Sequence, residues 1–244
     1  MSRQQQVSEV FVEMADTLVD DFDIIDFLQK LSARCVELLD VSAAGILLAD
    51  SRGDLQIIAA SDENTRLLEL FALQHDQGPC VECYTQGAAR LNIDLTDPVV
   101  AQHWPLFADR ACGSGYATTH ALPLRLRHHV MGALNLFHTE RAVLGVEDTT
   151  LAQALADIAT IGILQQRTLE QSQTERSQLQ AALTSRIVIE QSKGILAERL
   201  QTSPDHAFAT IRAHARTHHL RISELARQIV DGDAPGLPVG PGAA

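Results

Sequence analysis

Two cysteines three positions apart, in Cys80-Val81-Glu82-Cys83, carry the sharpest chemical signal in the sequence. Pro79 just before them marks a helix start, where unpaired backbone N–H groups and the helix dipole favour thiolate over thiol. On that reading the pair can close a reversible disulfide and sense redox state; two thiols packed at a helix start satisfy the same pattern. A zinc site needs a second ligand pair at similar spacing. Cys112 with His75, His103 or His120 is only a scattered set, so no metal is expected. Trp104, the one tryptophan, can line a ligand pocket with Tyr84, Tyr116 and Asn135, or serve as a packing anchor. His128-His129 and His218-His219 are adjacent pairs, which diverge on both helix and strand and make poor chelates. No G-x-S-x-G setting activates a serine and no Walker-type glycine loop cradles phosphate, so no catalytic residue is assigned.

The second set of chemically useful residues is cationic. The chain has a formal net charge of −12, yet residues 181–230 carry seven Arg/Lys against four Asp/Glu, whereas residues 1–180 carry twelve against twenty-five. An acidic chain is repelled from nucleic acid as a whole, so any such binding must come from this locally basic surface. Arg186 and Lys193 fall at i and i+7 and Arg212 and Arg216 at i and i+4, a spacing that also fits an ordinary solvated helix face.

Hydrophobic periodicity supplies the elements that must hold these residues. Residues 179–232 read as three helices: one to about Leu200 with Leu183, Ile187, Ile195 and Leu196 near one side, one started by Ser203-Pro204-Asp205, and a short one capped by Ser223 and ended by Gly232. Ala207, Phe208, Ile211 and Ala215 are the expected inward contacts of the second. Fifty residues of short helices make a marginal core, so the unit is expected to lean on a partner, which dimerisation would supply, or on a longer first helix. Upstream, residues 7–20 and the stretch from Asp23 to Leu38 read as helices, AAGILLAD-SRGD-LQIIAAS as a hairpin, and Glu63–Gln74 as a helix. A short helix from Pro79, a strand in ARLNIDL, a loop-to-helix region at Trp104, two strands in THALPLRLR and VMGALNLFH, and a long helix from Val146 follow. This order predicts an α+β domain, an antiparallel sheet with helices against it. The weak heptad of Leu155, Ile158, Leu169, Leu179 and Leu183 reads either as a plain helical linker or as a dimer seam.

No apolar run approaches the length of a membrane span and MSRQQQVSEV lacks a signal-peptide pattern, so a cytoplasmic protein is expected. Four unevenly spaced cysteines do not make a disulfide framework. The Pro- and Gly-rich tail, 233–244, is expected to be disordered.

The C-terminal pattern resembles the ANTAR domain, an RNA-binding module of bacterial antitermination regulators. The resemblance rests on Arg186, the run Ile189-Glu190-Gln191-Ser192-Lys193-Gly194-Ile195-Leu196, Ala207-Phe208, Ile211-Arg212, Ala215, Leu225-Ala226 and Ile229, with Ser192 standing where the family usually has Ala. Residues from about Asp23 to Leu164 resemble a GAF domain, a sensing fold, through GILLAD, Gly78-Pro79-Cys80, Asp94-Leu95, Trp104-Pro105 and GALNLF. The resemblance implies a GAF-like sensor over 1–164, a helical linker over 165–178 and a three-helix ANTAR-like unit over 179–232, working as a homodimer that binds stem-loops in leader transcripts. It implies RNA contacts from Arg186, Lys193, Gly194, Arg212, Ala215 and Arg216, and ligand or redox sensing by Cys80, Cys83, Cys112, Trp104, Tyr116 and Asn135. Two alternatives stay open: a GAF-fold thiol enzyme reducing free methionine sulfoxide, and a dimerising sensor without RNA affinity.

Overall fold

The computed structural model describes residues 2–18, 23–127 and 129–233; of the tail, only Asp233 lies within these bounds. Two compact units divide the chain, 1–168 and 169–244. The first contains helices α1 (Arg3–Thr17), α2 (Ile24–Leu39), α3 (Glu63–His75), α4 (Pro79–Gln86), α5 (Pro98–His103) and α6 (Pro105–Gly113) and strands β1 (Ala43–Ala49), β2 (Leu55–Ala60), β3 (Arg90–Asp94), β4 (Thr118–Leu126) and β5 (His129–His138). Helix α7 runs without a break from Val146 to Leu200 and is shared by both units; α8 (Pro204–Thr217) and α9 (Ile222–Asp231) complete the second.

The strands form one antiparallel sheet in the order β2-β1-β5-β4-β3. The strand period of two sends alternate side chains to opposite faces, and both faces are covered. Ala44 and Ile46 of β1 with Leu134 and Leu136 of β5 join Phe27, Leu28 and Leu31 of α2 and Leu155 and Ala159 of α7 on one side. Ala43, Leu47, Ala133 and Phe137 join Leu68 and Ala72 of α3, Cys80 and Cys83 of α4 and Phe107 of α6 on the other. Being buried twice over, β4 and β5 are apolar along most of their length instead of alternating with polar residues.

Local chemistry sets the helix starts. Asp23 accepts from the N–H groups of Ile25 and Asp26, Asp62 from Thr65, and Ser203 from His206, while proline occupies the first turn of α4, α5, α6 and α8. Ser223 does not cap α9: the helix begins at Ile222, two residues earlier than a Ser223 cap requires, and Arg221 stands at the cap position. Gly232 ends the helix in the left-handed conformation, as its sequence position predicts.

In the second unit the core is small: Leu196 and Ala197 of α7, Ala207, Ile211 and Ala215 of α8, and Leu225 and Ile229 of α9. Leu183 and Ile187 do not join Ile195 and Leu196 in it; they are 49% and 58% exposed. The reason is length, since an α8 of 14 residues extends about 21 Å and covers only the last turns of α7.

Candidate nucleic-acid interface and sensor interior

On α8 the small apolar residues Ala207, Ile211 and Ala215 recur at four-residue spacing and turn inward. Phe208 is rotated about 100° from Ala207 by the helix period and stands half-buried outside the cluster, not in the core where its apolar character predicts it. Two cations flank its ring. The Arg212 guanidinium, one turn further along α8, is 4.7 Å from the ring centroid, and the Lys193 ammonium, reaching across from α7, is 5.5 Å away. Lys193 also donates to both carboxylate oxygens of Glu190 at 2.9 and 3.1 Å. Arg186 is exposed two turns before Lys193, and Arg216 is exposed one turn after Arg212. Ala215 is 2% exposed and packs in the core, so it cannot meet a ligand at the surface. Ser192 is fully buried and satisfies its hydroxyl by donating to the Ile189 carbonyl at 2.8 Å, which lets serine replace the alanine expected there.

Two glycines inside α7 have opposite surroundings. A β-carbon at Gly162 would stand 2.6 Å from the Phe27 ring, so the close packing of α7 on α2 requires glycine. A β-carbon at Gly194 would meet nothing within 4 Å. Glycine within a helix costs about 0.5–1 kcal/mol relative to alanine. Nothing in the packing of the protein calls for that cost at Gly194, next to Lys193.

In the first unit, α3 brings Glu69 against the sheet, where its buried carboxylate Oε1 accepts from Asn135 Nδ2 at 2.5 Å. Burial pushes the Glu69 pKa up to about 7, against the opposing pull of hydrogen bonding to Asn135 and Cys80. Glu69 Oε2 and Asn135 Oδ1 have no hydrogen-bond partner; a neutral carboxyl brings an O–H donor into a cluster that holds a free acceptor. Beside it, the Tyr116 and Thr65 hydroxyls lie 2.8 Å apart, and Thr65 donates to the carboxylate of Asp62 at 2.7 Å.

The helix-start argument for thiolates fails here. Cys80 and Cys83 are free and both fully buried; desolvation raises the Cys80 thiol pKa well above its ordinary value and that of Cys83 to about 12. The loss of water outweighs the dipole of an eight-residue helix. Cys112 is exposed, its thiol 3.6 Å from the Leu95 carbonyl. The proposed sensing residues therefore separate. Cys80 and Asn135 meet at Glu69, Tyr116 is their neighbour, and Cys112 stands apart. Trp104 lines a surface cleft of about 550 Å³ with Glu82, Arg90, Asn92, Asp94 and His103, and neither Tyr84, Tyr116 nor Asn135 lines it. Glu82 pairs there with His103 and, at 3.3 Å, with Arg90. No group of three or more His, Cys, Asp or Glu among the described residues is arranged to hold a metal ion.

The GAF domain family model matches residues 23–164, more than half of the chain, and the ANTAR domain model matches residues 177–230. The chain belongs to the GAF domain family. Its ANTAR domain follows at the C-terminal end, and the pair has the architecture of a sensor-regulator: a sensing fold joined to an RNA-binding module. Among curated proteins none matches. Solved structures resembling the GAF domain include the phycoerythrobilin-bound GAF domain of a cyanobacterial phytochrome (16% identity, TM-score 0.53, covering 70% of this chain and 98% of that one). The GAF domain of an Acinetobacter phosphoenolpyruvate-protein phosphotransferase is similar (13%, 0.52, 69% and 97%). So is a free methionine-R-sulfoxide reductase from Neisseria meningitidis solved with its substrate (20%, 0.51, 67% and 91%). At these identities the likeness establishes the GAF fold alone. No helix among the described residues is long and apolar enough to cross a membrane.

Sequence reasoning passes over Glu69 of the GAF domain and the surface position of Phe208 in the ANTAR domain. Both carry a signal. Glu69 shares the inward stripe of Thr65, Leu68 and Ala72, where a charged residue is out of place. Phe208 shares a stripe with Arg212, not with the buried alanines.

Proposed function

We propose that this GAF-ANTAR chain is a cytoplasmic, signal-responsive RNA-binding regulator that promotes transcription antitermination by holding stem-loops of leader transcripts. The sensor spans 1–164, the helical linker 165–178 and the RNA-binding unit 179–232. Arg186, Lys193, Arg212 and Arg216 contact phosphates and loop-base edges, and Gly194 admits the RNA backbone. Unpaired loops expose edges that an A-form stem hides, so loop reading by helix side chains is physically reasonable. The observation that carries the reading is the open space at Gly194: a helix-interior glycine that packs against nothing, beside a lysine paired across an aromatic ring with Arg212.

The exposed apolar residues Leu169, Leu179, Leu183 and Ile187 on α7 support a homodimer seam, and two units then engage two hairpins. The signal is a small molecule taken up by the GAF domain; burial of Cys80 and Cys83 weighs against a thiol trigger and equally against thiol-enzyme chemistry. A gel shift of the full chain with tandem-hairpin RNA, run reduced and oxidised, tests this. Retardation that needs both hairpins and is insensitive to oxidant is expected. Absence of any shift in every oligomeric state leaves only a dimerising sensor.

A further inference from the structure

A half-buried phenylalanine on the surface of a small basic bundle is poorly used as packing, because part of its apolar area stays in water. In this protein Phe208 has different neighbours: the Arg212 guanidinium at 4.7 Å and the Lys193 ammonium at 5.5 Å, one from its own helix and one from α7. Arginine and lysine are the side chains with the most rotamer freedom to lose when a ligand fixes them. An aromatic face attracts both and limits that freedom before any ligand arrives. Lys193 is further steered by Glu190, whose carboxylate takes its ammonium at 2.9 and 3.1 Å. An arginine lying on an aromatic ring keeps its outer face for stacking, and unpaired RNA bases stack on guanidinium planes.

We propose that Phe208 is the positioning residue of the RNA site: its ring pins Arg212 and Lys193 into one preformed contact that receives an unpaired loop base and its flanking phosphate. This deepens the RNA-binding reading above and rests on it. The ring itself does not stack on RNA; it acts through the two cations. Sequence alone cannot separate this from a core role, since the same residue type satisfies both.

The test uses the full chain and tandem-hairpin RNA. Phe208→Leu is expected to weaken binding by about tenfold while Phe208→Tyr, which keeps an aromatic face, stays within about twofold of the parent. Combining Phe208→Leu with Arg212→Ala is expected to cost much less than the two single losses multiplied, whereas Phe208→Leu with Arg216→Ala multiplies. A purely structural role would not distinguish the two arginines. Parental affinity in Phe208→Leu, or the same multiplication with Arg212→Ala as with Arg216→Ala, overturns the proposal while leaving RNA binding intact. Failure of the parent to bind RNA overturns the reading beneath it. Because Phe208→Leu can also loosen the bundle, NMR of the unaltered chain supplies a second readout. The Arg212 Hδ and Lys193 Hε resonances are expected upfield of random-coil positions, and random-coil shifts for both reject the pinning.

Discussion

Asn135 of β5 donates to the Glu69 carboxylate at 2.5 Å inside the GAF domain, and the burial of Glu69 at this contact makes the fold pH-sensitive. Burial raises Glu69 from an ordinary value of 4.5 to about 7. An unfolded chain gives up this proton near pH 4.5, while the folded chain keeps it until about pH 7. Stability therefore falls as pH rises through that window and levels off above it, by about 3 kcal/mol as an upper estimate. Glu69→Gln is expected to remove this component and to be more stable than the parent at pH 8. Urea unfolding of both chains at pH 5 and pH 8 measures it; equal pH dependence in the two would contradict the assignment.

The two glycines of α7 predict opposite outcomes for one substitution. Gly162→Ala drives a β-carbon to 2.6 Å from the Phe27 ring and is expected to destabilise by about 1–3 kcal/mol. Gly194→Ala has open space and is expected to stabilise by about 0.5–1 kcal/mol while weakening RNA binding about tenfold. Denaturation curves and gel shifts on the two variants separate the cases. A Gly194→Ala chain that binds as the parent does would remove the close-approach role.

Thiol reactivity orders the four cysteines. Cys35, Cys80 and Cys83 are buried and Cys112 is exposed. A chromogenic disulfide reagent at neutral pH is expected to find one fast thiol, lost in Cys112→Ser, with the other three released only by denaturant. Peroxide treatment is expected to leave Cys80 and Cys83 unlinked in the folded chain, read by mass mapping. A rapidly formed Cys80–Cys83 disulfide would restore a redox role.

Leu183 and Ile187 remain exposed on α7 because α8 and α9 are too short to cover them. Replacing both with serine is expected to shift the chain from dimer to monomer in sedimentation velocity without lowering its helix content. An unchanged sedimentation coefficient would move the seam elsewhere.

The fold was legible because its signals are local. The apolar runs GILLAD and GALNLF, the Asp23 and Ser203 caps, and Pro79 each act over a few residues, and the structure keeps them. The thiol chemistry was not, because a helix start lowers a pKa only while water or charge can reach it. Burial of Cys80 and Cys83 comes from the sheet and from α3 and α6, contacts that only the folded domain makes. Phe208 was misplaced for a related reason: Ala207, Ile211 and Ala215 fill the narrow inward stripe of α8 and leave its one phenylalanine beside the charges on the surface. Ser223 failed as a cap because α9 begins two residues early, a shift within the ordinary scatter of helix ends.

The central claim is that the cations of α7 and α8 hold RNA, and the salt dependence of binding tests it most directly. Affinity of the full chain for tandem-hairpin RNA, measured across salt concentrations, is compared with that of Lys193→Ala. The account expects weaker binding and a log–log salt slope shallower by about one for the variant. Identical affinity and slope would contradict it.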